Sequence, residues 1–354
     1  MRILFFIFIL SLYLQADITQ KIANMIIIGI DGTTVADNSS LTSFIKKNGL
    51  GGIILFSKNL QTKKQVKKLT SDFQNLCKSK LFIALDQEGG FVDRLSAING
   101  INSFPSAKNI SLLSDEESKK VYTNMARIFH NLGFNLNFAP CVDLAINPQN
   151  RVIAHFQRSY GKDPDKVVQK ASIFIDAFKK NSSICVIKHF PGHGSSNSDS
   201  HLGFTDVTKT WQEVELKPFF KLIQMQKVQM LMSAHIFNKK LDPKYPATLS
   251  KKILTRLLRK SMGYDGVIIS DDMQMGAISK NFRLKNSISL AINSGVDILL
   301  FGNQIGKPIK VQKIVSIIKD LLKEGRVTLS QIDEANQRIN RLKSSYDMNQ
   351  QFLF

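Results

Sequence analysis

The chain has 354 residues, of which 43% are hydrophobic and 21% charged, with 20 glycines and only 9 prolines. That balance excludes collagen-like, low-complexity and wholly disordered polypeptides. Lys and Arg number 48 against 28 Asp and Glu, a formal charge of +20, which points either to a polyanionic partner or to a lysine-rich solvated surface. The basic residues are spread along the chain in short clusters such as Lys63-Lys64 and Lys67-Lys68, with no basic tail, which favours the solvated surface.

The first element is not part of a fold. Met1-Arg2 precedes an apolar run from Ile3 to Leu14, and Gln15-Ala16 follows it. A positive start, an apolar stretch of about a dozen residues and a small residue at its end predict a secretory signal over 1–16, leaving a mature domain over 17–354. The run is short for a transmembrane helix, which needs about 20 apolar residues; an uncleaved anchor is the alternative. Export, to the periplasm or the medium, is therefore expected, with no stable membrane span after cleavage. Three cysteines, Cys77, Cys141 and Cys185, read as buried free thiols rather than as a disulfide framework.

Apolar runs then recur in series: Met25–Ile30, Gly52–Phe56, Leu81–Leu85, Phe134–Phe138, Ile184–Ile187, Met230–Ser233, Gly266–Ile269 and Val296–Phe301. Between and after them lie stretches of helical periodicity, clearest at Val66–Leu76, Glu116–Leu132, Lys166–Phe178, Lys251–Met262, Ile309–Leu322 and Ser330–Ser345. Continuous apolar strands separated by helices imply a parallel sheet covered on both faces. Eight in one unbroken series predict an α/β single-domain (β/α)8 barrel.

Barrel chemistry sits at the C-terminal ends of the strands, and here those ends are polar. Leu81–Leu85 runs into Asp86-Gln87-Glu88-Gly89-Gly90, and Phe134–Phe138 leads to Asp143. Ile184–Ile187 ends in Lys188-His189, Met230–Ser233 reaches His235, and Gly266–Ile269 ends in Ser270-Asp271-Asp272. No glycine-rich phosphate cradle follows any strand, so no nucleotide cofactor is expected.

The densest segment is KHFPGHGSSNSDSH, Lys188 to His201, with His189, His193, His201 and Asp199. Its glycines and serines predict a mobile, solvent-accessible loop. Three readings compete: a metal site of three histidines and an aspartate, a Schiff-base amine at Lys188, and an acid/base loop in which Asp199 polarises His201. In the last, Asp271 is the natural nucleophile or charge stabiliser.

KHFPGHG followed by DSH, DQEGG with Arg94 just after, RSYGKDP, and GYDGVIISDDM occur together. With these motifs the chain resembles glycoside hydrolase family 3, in its single-domain β-N-acetylglucosaminidase branch, from about Met25 to Gly302. The resemblance implies a barrel that removes β-linked N-acetylglucosamine with retention, particularly from peptidoglycan fragments. No cofactor or metal is implied, and a monomer is expected. Export and a sugar-cleaving pocket account for the motifs without nucleic acid, which is not expected as a partner. It also implies that Asp271 is the nucleophile, that His201 is the acid/base with Asp199 its dyad partner, and that Asp86, Arg94, Arg158, Lys188 and His189 bind the sugar. His193 and His235 read as structural. The chain departs from the family pattern at Phe91, where Arg is frequent, at Ser261, where an acid or amide is usual, and over Asn150–Arg158, about two residues longer than the common form.

Overall fold

In a computed structural model, which describes residues 18–77, 80–200 and 203–346, eight parallel strands form one sheet. They are β1 (Ile26–Gly29), β2 (Gly52–Ile54), β3 (Phe82–Leu85), β4 (Leu136–Asn137), β5 (Ile184–Phe190), β6 (Met230–Ser233), β7 (Val267–Ser270) and β8 (Leu299–Phe301). Sequence neighbours pair throughout, and β8 returns to β1 with Ile26 opposite Leu299. Between β7 and β8 the link is one parallel bridge, Ile269 to Ile298, with Ser270 N donating to Ile298 O at 2.9 Å. The sheet thus closes on itself and leaves no free edge for unpaired backbone groups. The segment 1–16, read as an export signal, lies outside the described residues. Among the described residues no helix is long and apolar enough to cross a membrane.

Every residue of these eight strands is buried, which is why each run reads as continuously apolar rather than alternating. The exception is β4, expected over Phe134–Phe138 and reduced to two residues. There the amides of Asn135 and Asn137 replace ladder bonds: Asn135 joins Ile83 N and Leu81 O, and Asn137 joins Gln87 N and O, at 2.8–3.0 Å. At β5 the opposite occurs. The strand continues three residues past Ile187, so Lys188 and His189 lie on it rather than beyond its end.

Helices cover the outside: α1 (Ser39–Asn48), α2 (Lys63–Gln74), α3 (Asp115–Asn131), α4 (Pro164–Lys180), α5 (Lys217–Gln224), α6 (Leu284–Ser294), α7 (Val311–Lys323) and α8 (Leu329–Ser345). Their starts follow from local chemistry. Ser114 and Glu117 form a reciprocal capping box before α3, and Asp163 caps α4 ahead of Pro164. The helix expected over Lys251–Met262 is a π-helix, Lys252–Ser261, closed by Met262 N to Leu257 O at 2.9 Å. Of the eight helices named, α1, α5 and α6 are additional to the periodic stretches.

Candidate active site

At the C-terminal end of the barrel lies a cavity of about 470 Å³. Asp86, Arg94, Arg158, Lys188, His189, Asp199 and Asp271 all line it, so the structure brings together these residues from distant parts of the chain. His201 lies outside the described residues.

Each side chain is placed by a strand end. Asp86 is the first residue after β3. Lys188, buried on β5, extends its Nζ to 2.7 Å from both Asp86 Oδ1 and Glu88 Oε1. Glu88 in turn accepts two bonds from Arg158, Nε to Oε2 at 2.9 Å and Nη2 to Oε1 at 2.7 Å. This fork pairing fixes the guanidinium in a plane, and Arg158 Nη1 completes it on Val152 O at 3.0 Å. Arg158 Nη2 lies 3.5 Å from His189 Nε2, while His189 Nδ1 sits 2.6 Å from Asp143 Oδ2. Asp143 also accepts from the backbone N–H of His193 at 2.8 Å. The result is one buried, alternating network from Asp86 to Asp143.

Its charges are locked. Burial alone would raise the Glu88 carboxyl, but Arg158 and Lys188 outweigh it and hold the group well below the usual carboxylate range. Burial likewise opposes Asp143 ionising, yet His189 pulls it down to about 2. For Lys188 burial favours the neutral amine, and Asp86 and Glu88 more than offset it, so the ammonium is stabilised. An amine held as a cation between two carboxylates is a poor Schiff-base nucleophile. That removes the support for a lysine lyase or aldolase.

Asp271 is the first residue after β7. Its N–H donates to Ser233 O at 3.2 Å, and its Oδ1 accepts from Asp272 N at 2.8 Å. Asp272 lines the cavity as well, with Oδ1 accepting from Gln274 N at 3.0 Å. His235 bonds Thr248 Oγ1 and Asp272 O, at 2.8 and 2.9 Å, a structural position. His193 is structural as well. Burial, reinforced by His189, lowers it to about 4, and its ring nitrogens face Ser196 Oγ and Ser200 Oγ at 2.8 and 3.2 Å.

The segment expected to be a mobile, solvent-accessible loop is not solvent-accessible in its first half. Pro191 to Ser196 are buried. Asn150 Nδ2 donates to His193 O, Gly194 O and Ser196 Oγ at 2.7–3.1 Å, and Trp211 Nε1 donates to Pro191 O at 3.1 Å. Gly194 packs so closely that a Cβ there would lie 1.7 Å from Leu144 O. Its glycines and serines serve close packing and internal bonding, and exposure begins at Asn197 and Ser198.

Two supporting residues escape selection from the sequence, Glu88 and Asp143. Glu88 stands inside the DQEGG motif and Asp143 follows a strand, so both were visible, but only pairing with Arg158 and His189 reveals their place. Cys141, Asp143 and His189 bring a thiol, a carboxylate and an imidazole within 4.8 Å. Mutual hydrogen bonds, including Cys141 Sγ to Asp143 at 3.3 Å, account for the cluster. Arg94 differs: its Nε is buried with no hydrogen-bond partner among the described residues.

A family model, the glycosyl hydrolase family 3 N-terminal domain, matches residues 17–342. The chain belongs to glycosyl hydrolase family 3. Within that family it is 32% identical over 330 residues to Beta-hexosaminidase A of Pseudoalteromonas piscicida, covering 86% of this chain and 55% of that protein. To the Beta-hexosaminidase of Tolumonas auensis it is 34% identical over 262 residues, 72% of this chain and 76% of the relative. The solved structure of a family 3 β-N-acetylglucosaminidase from Paenibacillus sp. str. FPU-7 superposes with a TM-score of 0.86 at 31% identity, over 94% of this chain and 63% of that one. The chain thus spans only about half the length of the first of these relatives.

Proposed function

We propose that the protein is a retaining glycoside hydrolase that removes terminal β-linked N-acetylglucosamine, from peptidoglycan fragments met after export. The observation that carries this reading is the cavity itself. A carboxylate at the end of β7, Asp271, shares one pocket with a locked set of polar side chains suited to grip a sugar's hydroxyls. The named activities of the relatives and of the Paenibacillus structure support the N-acetylhexosamine preference. Asp86, Lys188, Arg158 and His189 present fixed donors and acceptors, and Arg94 lines the same cavity.

Asp271 attacks the anomeric carbon from one face to form a glycosyl-enzyme, while His201, polarised by Asp199, protonates the departing oxygen. His201 then takes a proton from water, whose attack frees the sugar with its β configuration kept. A histidine acid has its pKa near neutrality without the burial that a carboxylic acid needs. None of these steps requires a cofactor or metal.

The test is hydrolysis of aryl β-N-acetylglucosaminide against aryl β-glucoside, wild type beside Asp271→Ala. Wild type favours the N-acetylated substrate, and the variant loses turnover by more than about 10⁴-fold while keeping its fold. Equal rates on both glycosides would overturn the specificity, and an active Asp271→Ala would overturn the nucleophile.

A further inference from the structure

Two departures from the family pattern, distant in sequence, meet at the rim of the cavity. Phe91 stacks on Phe156 with ring centroids 3.8 Å apart and planes 10° from parallel. Phe156 lies in the longer 150–158 segment, and His155 packs edge-on against it at 5.2 Å. The pair lines the catalytic cavity and also a second, open groove of about 600 Å³, whose walls include Ser103, Pro105, Asn109, His155 and Gln157. The stacked rings therefore form a ridge shared by the two hollows.

The ridge is built rather than incidental. Gln87–Gly89 pairs antiparallel with Val92–Asp93, which puts Gly90-Phe91 at the turn. Gly90 N donates to Phe104 O at 2.9 Å, and a Cβ on Gly90 would lie 2.5 Å from that of Ser106. On the other side, Gln157 is tied to the same stretch through Ser106 Oγ at 3.0 Å and Lys108 N at 3.2 Å. Beneath the rings the Glu88–Arg158 ion pair joins the same two segments. Phe91 nonetheless stays 63% exposed. Because Phe156 covers one face, the exposure falls on the other face and the edges. A rigidly held phenyl ring left in water gains little from burial, so the arrangement fits a ligand-stacking surface better than a core.

We propose that Phe91 and Phe156 form the binding platform for the leaving group. The C–H face of its hexopyranose ring stacks on the ridge, and its polar substituents reach into the neighbouring groove. This rests on the proposed glycosidase reading and adds to it a preference for substrates with a sugar, rather than a small alcohol, beyond the scissile bond. Continuity with the catalytic cavity selects this occupant, since whatever is joined to the bound sugar has to leave across the rim.

The experiment measures binding by calorimetry in the Asp271→Ala background, where nothing is hydrolysed, with methyl β-N-acetylglucosaminide and N,N′-diacetylchitobiose as probes. Adding Phe91→Ala should weaken the disaccharide roughly tenfold, leave the methyl glycoside within about twofold, and be reversed by Phe91→Trp. Phe156→Ala should act in the same direction. An equal loss on both probes, or none on the disaccharide, would overturn the platform while leaving the glycosidase reading intact. If neither probe bound before Phe91 was changed, both would fall.

Discussion

Glu88 is where the site's electrostatics meet. A single carboxylate, almost fully buried, bridges Lys188 at 2.7 Å and Arg158 in a fork. Two cations that close would repel and drift toward water without it. With Glu88 in place, they become a rigid set of donors lining the cavity. Replacing Glu88 by Gln keeps the shape and one acceptor oxygen but removes the charge. It also sets an amide NH2 donor where Oε2 now accepts from Arg158 Nε, so the fork on Arg158 opens and Lys188 loses an anionic partner. Charge-assisted bonds are worth about 1.5–3 kcal/mol each. Glu88→Gln is therefore expected to lower kcat/KM on an aryl N-acetylglucosaminide about tenfold to a hundredfold, mainly through KM. Steady-state kinetics beside a circular dichroism check of the fold measures this; an unchanged KM would contradict the positioning role.

The segment from Lys188 to Ser200 divides into a strand, a buried tether and a short exposed stretch at Asn197 and Ser198, before Ser200 is buried again. The tether leans on Glu215, whose carboxylate accepts from Ser195 N and Gln212 N, both at 3.3 Å. Burial pushes Glu215 up to about 7. A raised carboxyl pKa means that the folded state holds its proton better than the unfolded chain does. The resulting stabilisation is complete below the ordinary carboxylate range and is lost as pH rises through about 7. His193, lowered to about 4, works in the opposite sense, stabilising above the ordinary histidine range and failing as pH falls. Glu215→Gln removes only the first effect. Between about pH 5 and pH 8 the melting temperature of wild type should therefore fall relative to Glu215→Gln, read by calorimetry across pH. A constant difference would show that the carboxyl does not titrate in the fold. The same segment marks how far the sequence could be read. Its glycines and serines were legible as turn formers, but the buried asparagine that pins them, Asn150, lies some 40 residues away, and no local pattern announces such a contact. Among the helices, α6 (LKNSISLAINS) was missed because buried Ser287 and Ser289 break the apolar stripe that periodicity detects. The strands were legible because burial on both faces leaves an unbroken apolar run. The strand-end acids and bases could be located in advance, whereas the Glu88–Arg158 and Phe91–Phe156 pairings depend on contacts about 65–70 residues apart.

Across the whole molecule the two ends of the barrel carry different burdens. The C-terminal rim holds the polar cavity, and the opposite end is closed by α8. There Asp297, just before β8, accepts from Arg259 at 2.6 Å, from Arg338 of α8 at 3.0 Å and from Ile268 N at 2.8 Å. One carboxylate thus joins the π-helix, the last helix and the end of the sheet where β7 and β8 meet. Asn336 and Lys343 of the same helix reach Lys21 O and Asn24 Oδ1, at 3.0 and 2.7 Å, so α8 also ties down the approach to β1. Asp297→Ala leaves two largely covered guanidinium groups and a strand N–H without their acceptor. Removing one partner of a buried ionic network costs about 3–5 kcal/mol, and the partial exposure of the arginines places this one near the lower figure. The fall should appear as a lower urea midpoint with an unchanged slope. Because the cluster lies at the end away from the cavity, kcat of the folded fraction should stay within about twofold of wild type. A loss of kcat matching the loss of stability would mean that the two ends are coupled through the barrel, and that Asp297 positions the catalytic rim as well as closing the sheet.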